Sequence, residues 1–83
     1  MKTEFEQLLM ALVNPIVTNT DDVSISSFVD VDETIVLQVR VSKDDLGRVI
    51  GKGGRITNAI RTVAHASASR SGKKIKIEFD SYE

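Results

Sequence analysis

The chain has no cysteine among its 83 residues. That excludes disulfides, thiolate metal sites and cysteine nucleophiles together. It has one histidine, His65, inside an apparent helix and without a metal-binding neighbour of the usual kind. A triad cannot be assembled from it with any conviction, and the acids gather at helix starts and in loops, so no catalytic or metal site is expected. Aromatic residues make up 5% of the chain. The longest apolar run, residues 8–13, falls far short of the ~20 residues needed to cross a bilayer. Glu4 and Glu6 lie close to Lys2 at the N-terminus, which suits neither a secretory signal nor a transit peptide. The expected location is the cytoplasm, with no membrane partner.

What is present is an ordinary globular composition, 41% hydrophobic and 28% charged. The length predicts one domain over residues 1–83, with room for a single core. Each buried Leu, Ile or Val contributes roughly 1.5–3 kcal/mol before entropy is subtracted. A core without covalent staples is therefore modestly stable, and pairing with another chain is a natural way to gain more.

The net charge of −1 conceals a division. Residues 1–39 carry one lysine against seven acids, a balance of −6, whereas residues 40–76 carry ten Lys or Arg against Asp44 and Asp45, a balance of +8. Two readings are open at this level: a basic face for a polyanion, or a surface whose opposite charges neutralise one another in the fold.

Periodicity predicts the elements. Phe5, Leu8, Leu9 and Leu12 form a helical stripe over residues 3–13, opened by a Thr3–Glu6 capping box. Pro15 is expected to push Asn14 out of helical geometry and end that helix, with Ile16 and Val17 in a further turn. Alternation predicts strands over residues 23–31, with Val23, Ile25, Ser27, Val29 and Val31 on one face, and over 34–41, joined at Asp32-Glu33. Phe28, on the polar side of the first strand, is either an interface residue or a partly covered surface phenylalanine. Ser42 reads as the cap of a helix over residues 43–50, with Asp44 and Asp45 in its favourable first turn. A second helix over residues 55–69 turns Ile56, Ile60, Val63 and Ala64 or Ser67 inward, and ends at Ser71-Gly72. Ile75, Ile77 and Phe79 mark a last strand. The order α-β-β-α-α-β implies an α+β domain: an antiparallel hairpin, a right-handed helical crossover and a parallel third strand, giving a three-stranded mixed sheet with helices on one face.

Three of the five glycines stand at Gly51, Gly53 and Gly54, around Lys52. A P-loop needs G-x-x-x-x-G-K-[ST], but Gly47 and Gly51-Lys52 are one residue too close and Gly53 replaces the hydroxyl residue. A dinucleotide fingerprint needs glycine where Ile56 stands. No cofactor or small-molecule substrate is therefore expected. A helix–GxxG–helix turn fits the spacing. Glycines let the chain turn sharply and leave no side chains between its backbone and a sugar–phosphate chain, while the following helix start, Lys52 and Arg55 attract phosphate.

The run Val49-Ile50-Gly51-Lys52-Gly53-Gly54-Arg55-Ile56 resembles the signature of KH-domain RNA-binding proteins, and the element order is similar to the type II form of that fold. In size the chain is similar to the small bacterial single-KH proteins of the KhpA (YlqC-like) family, with an N-terminal helix at 3–13 and a KH core at 23–80. The resemblance implies a non-catalytic protein, an RNA chaperone or post-transcriptional regulator, that holds about four nucleotides of single-stranded RNA in a groove. Gly51, Lys52, Gly53 and Gly54 would form the clamp, flanked by Arg48 and Arg55 as phosphate contacts. Val49, Ile50 and Ile56 would line the groove floor, and Arg40 would stand on the far wall. The resemblance also implies a homodimer, or a heterodimer with a larger KH-containing protein. The alternative function is a protein-interaction subunit that uses the fold to pair or to dock such a partner. Arg61, Arg70, Lys73, Lys74 and Lys76 read as solvated surface. No aromatic residue lies near the clamp in sequence, so base stacking is not expected to dominate affinity.

Overall fold

Helix α1 (Glu4–Val13) begins in a computed structural model that describes residues 3–82; Met1, Lys2 and Glu83 lie outside the described residues. The Glu6 N–H donates to Thr3 Oγ1 at 3.1 Å, and the Thr3 N–H donates to Glu6 Oε1 at 2.7 Å. This reciprocal box satisfies two donors that a helix start otherwise leaves unpaired. Phe5, Leu9 and Val13 form the buried line, with Leu8 and Leu12 packed at its flank. The helix ends where expected but for another reason. Asn14 keeps right-handed helical backbone (φ −52°, ψ −43°) and its N–H still reaches Met10 O. Pro15 stops the ladder because it has no N–H to donate. A turn closed by Ile16 N–H on Val13 O then carries the chain to Val17, which joins the core.

Strands β1 (Ser24–Val29) and β2 (Ile35–Val41) pair antiparallel, with Ile25 opposite Val39 and Phe28 opposite Val36. β1 is shorter than its alternation predicts, and Val29 and Val31 are exposed. The cause is Asp30. Its carboxylate accepts the N–H groups of Asp32 and Thr34, and its own N–H donates to Thr34 O, so the chain leaves the strand at Asp30. A short side chain that bonds its neighbouring backbone competes with the ladder in this way. Glu33 completes the turn with φ 65°.

Strand β3 (Ile75–Ser81) runs parallel to β2, Ile77 opposite Leu37, and the sheet order is β1-β2-β3. Helices α2 (Lys43–Ile50) and α3 (Arg55–Arg70) form the crossover, and with α1 they cover the face that carries Ile25, Leu37, Val39, Val41, Ile75 and Ile77. α3 turns Ile60, Ala64 and Ala68 inward, whereas Val63 is 46% exposed. Two alanines at the contact bring α3 close to the sheet and rotate Val63 outward. Gly72, at φ 68°, ends the helix while Lys73 N–H returns to Ala68 O. On the open face of the sheet, Val36 is buried without belonging to the core cluster. Phe28 lies directly across from it and is itself 51% exposed, a phenylalanine that covers a neighbour with one side and meets solvent with the other. Among the described residues, no helix is long and apolar enough to cross a membrane.

One buried carboxylate ties these layers together. Asp45, in the first turn of α2, is fully buried. Its Oδ1 accepts the Thr18 N–H (3.0 Å) and the Thr18 hydroxyl (2.8 Å), and its Oδ2 accepts the Asn19 N–H (2.9 Å) and the Ser42 hydroxyl (3.1 Å). Ser42 thus occupies the cap position with extended backbone but donates to Asp45 instead of capping an N–H itself. The Thr18 N–H is the strongest influence holding the Asp45 carboxyl well below the usual carboxylate range, against the opposing effect of desolvation; Asn19 N–H and the two hydroxyls add to it. Because folding lowers this pKa, the unfolded chain takes up the proton first. The stabilisation from Asp45 is therefore complete above about pH 5 and shrinks as the pH falls below about 4. Asp45→Asn is expected to lower the thermal midpoint at pH 7 by roughly 10 °C. The gap between variant and wild type should narrow on acidification below pH 4, as read by circular dichroism melts across a pH series.

Candidate functional site

The chain between α2 and α3 turns on three glycines with positive φ. Gly51 (φ 76°, ψ 170°) lies in a region that essentially only glycine enters. A Cβ there would stand 2.7 Å from Ile56 Cγ1 and 3.0 Å from Ile56 N, so the absence of a side chain lets the start of α3 fold back against the turn. Gly53 (φ 64°, ψ 18°) and Gly54 (φ 80°, ψ 16°) are left-handed, and a Cβ on Gly53 would meet nothing within 4 Å. Gly54 N–H donates to Gly51 O at 3.1 Å, and Thr57 Oγ1 donates to Gly54 O at 3.1 Å, which fixes the turn from both sides. α3 then begins with no side chain capping it, so its positive end faces solvent beside the turn.

Three cations flank the turn. Arg48, Lys52 and Arg55 are exposed. Arg48 makes only a long contact with Asp45, Nε to Oδ1 at 3.9 Å, and among the described residues Lys52 and Arg55 have no carboxylate in ion-pair range. Ile50 is partly exposed at the end of α2, and Ile56 is partly buried against Gly51. Two assignments change. Val49 is 0% exposed and belongs to the core, so it holds α2 in place and cannot meet a ligand. Arg40 alternates with the inward Val39 and Val41, which places it on the open face of the sheet between Ser24 and Asp80, away from the helical layer and the turn. The basic block also divides. Arg70, Lys73 and Lys74 lie at the far end of the 16-residue α3, about 24 Å from its start.

The fold also joins Arg61 and Phe79, a contact that periodicity alone does not show. Arg61 is half-buried, its Nη2 donates to Ile77 O at 3.3 Å, and its guanidinium carbon lies 5.2 Å from the centre of the Phe79 ring. An aromatic ring therefore does flank α3, delivered by the parallel crossover from far along the chain. The available signal was the inward register of Phe79 on β3. Among the described residues, no group of three or more His, Asp or Glu is placed to hold a metal ion.

Substitution of Gly51 by alanine is expected to cost about 1–3 kcal/mol, since it combines forbidden backbone with a contact into Ile56. Gly53→Ala should cost markedly less, and denaturant unfolding of the two variants measures the difference.

The family model described as KhpA/KhpB, KH domain matches residues 6–79. Over 73 residues the chain is 44% identical to the RNA-binding protein KhpA of Listeria monocytogenes, covering 88% of this chain and 95% of that protein. It is 40% identical to the RNA-binding protein KhpA of Bacillus subtilis, with 88% and 89% covered. It is 32% identical to that of Borreliella burgdorferi over 72 residues, with 87% of each covered. Among solved structures, Era in complex with MgGDPNP and nucleotides 1506–1542 of 16S ribosomal RNA superposes with a TM-score of 0.62 at 11% identity, a likeness of fold. That match covers 93% of this chain and 29% of Era. The family match runs from the first turn of α1 to Phe79 in β3 and so takes in both helices of the glycine turn and all three strands: the chain belongs to the KhpA/KhpB KH-domain family.

Proposed function

We propose that the protein is a non-catalytic binder of single-stranded RNA that holds about four nucleotides against the turn from Gly51 to Gly54, and that it acts in the cytoplasm as an RNA chaperone or post-transcriptional regulator. One observation carries the proposal: the open glycine turn has Lys52 and Arg55 beside it with no carboxylate in ion-pair range among the described residues, next to the uncapped start of α3. Backbone without side chains admits a sugar–phosphate chain closely, and the free cations and helix terminus complement its charge. The KhpA relatives named as RNA-binding proteins and the RNA complex of Era support the same assignment.

A second reading, association with another KH chain, is favoured by an apolar hollow of about 260 Å³ between α1 and α3. Leu12, Ile16, Ile56, Ala59 and Val63 line it. A second copy or a larger KH-containing protein would cover these residues, and through Ile56 the contact would lie against the back of the glycine turn. Pairing also extends a short RNA site by avidity.

Three or four neutralised phosphates predict that log K falls against log salt with a slope of about −2 to −3. The double variant Lys52→Asp/Gly53→Asp should lose RNA binding by ten-fold or more yet stay folded with a midpoint only a few degrees lower, because Lys52 is exposed, Gly53 has free space around it, and aspartate tolerates left-handed backbone better than most residues. Filter binding with short single-stranded RNA tests this, and unchanged affinity removes the clamp assignment. Light scattering at tens of micromolar should give a dimer mass for wild type and a monomer for Val63→Asp; a monomeric wild type removes self-pairing.

A further inference from the structure

The sheet has two edges, and they are finished differently. α2 and α3 pack against β3, whereas α1 lies against β1, so the glycine turn belongs to the β3 side of the molecule. β3 carries Lys76, Glu78 and Asp80, and Arg61 donates to its Ile77 carbonyl. Charged side chains on an outer strand discourage another chain from pairing with it. β1, the other outer strand, reads Ser24-Ile25-Ser26-Ser27-Phe28-Val29, with no charge, no proline and no bulge.

The hairpin decides which backbone groups of β1 are spare. Asp30 N–H donates to Thr34 O, and the register runs on without a slip through Phe28 opposite Val36 and Ser26 opposite Gln38. In an antiparallel ladder every second residue bonds its partner, and the residues between turn their groups outward. Ser27 and Val29 therefore aim two N–H groups and two carbonyls away from β2. Among the described residues, none of these four groups has a backbone partner. Exposed apolar side chains gather at the same place: Phe28, Val29 at 64% and Val31 at 99%.

Charge selects what can cover this edge. Asp21 and Asp22 precede one end of β1, and Asp30, Asp32 and Glu33 follow the other. No lysine or arginine occurs in the chain between Lys2 and Arg40. Lys73 and Lys74 share a hollow with Asp32 and Glu33, but among the described residues they form no ion pair there. A second copy paired antiparallel along β1 would set acid against acid at both ends, and a nucleic acid would meet the same repulsion. We propose that the edge of β1 at Ser27 and Val29 is a docking site for an extended, lysine- or arginine-bearing segment of another protein, added to the sheet as a fourth strand. The backbone of that segment pairs with the four spare groups. Its apolar side chains cover Phe28 and Val29, and its cations meet the acids at the strand ends. The site lies on the opposite edge from the glycine turn, so it does not depend on the RNA-binding proposal.

The test titrates the full chain into fluorescein-labelled heptapeptides at physiological ionic strength, read by anisotropy. One peptide alternates lysine with valine, the second is the same with every internal backbone nitrogen methylated, and the third replaces lysine by glutamate. The lysine peptide should bind roughly ten-fold more tightly than either control. In its presence, amide hydrogen exchange should slow at Ser27 and Val29. Val29→Pro removes one outward N–H and leaves the ladder to β2 untouched, so the variant should keep its circular dichroism spectrum and lose peptide affinity by ten-fold or more. Should that variant unfold, the exchange measurement on wild type decides alone. Equal binding of the methylated peptide reduces the contact to charge attraction and overturns the proposal. Equal binding of the glutamate peptide, or exchange unchanged at Ser27 and Val29, also overturns it. So does failure of the lysine peptide to bind below about 1 mM.

Discussion

The Asp45 carboxylate is the constraint on which the arrangement turns. A short helix such as α2, eight residues long, does not hold itself in water. It persists because its first turn is bonded to Thr18 and Asn19, a segment that α1 has already delivered to the core through Val13 and Val17. One end of α2 is thus fixed by hydrogen bonds to a buried charge, and the other by Val49 in the core. The glycine turn follows directly. Its position in space is inherited from a buried carboxylate nearly two turns upstream, which is how a flexible sequence of three glycines comes to occupy one conformation.

Within the turn the glycines do different work. Gly51 is required by sterics, because its backbone angles and the approach of Ile56 both exclude a side chain. Gly53 has ample room and is required only mildly by its own φ, so what it contributes is a bare backbone facing outward. The same four residues therefore combine a packed hinge with an open surface, and the two can be altered separately.

Much of this was readable in advance, where the signal is local. The capping box at Thr3 and Glu6, the hairpin, the crossover and the GxxG turn each follow from residues adjacent in sequence, and the structure contains them. Non-local effects were not readable. Asp30 cut β1 short by bonding the backbone ahead of it, overriding an alternation that ran on to Val31. Val49 is apolar in a motif of glycines and cations, and nothing in the sequence distinguishes a residue sealed behind the turn from one at its surface. Arg40 shares a charge with the cations beside the glycine turn but sits one residue out of phase with the inward strand face. The pairing of Arg61 with Ile77 and Phe79 joins α3 to a strand 16 residues onward, a contact that only the tertiary fold creates.

The separation of charge along the chain does not become two opposed faces in the fold. With a net charge of −1, the molecule has almost no overall attraction or repulsion toward a polyanion. In space the two signs interleave: Glu4 of α1 lines a hollow with Arg70, and Asp32 and Glu33 of the hairpin line another with Lys73 and Lys74. Among the described residues, Lys52 and Arg55 beside the glycine turn have no carboxylate in ion-pair range. Their field is screened beyond about 8 Å at physiological ionic strength. A polyanion would therefore feel these cations only once it is already close to the turn, so the charge acts as a local latch and not as a beacon.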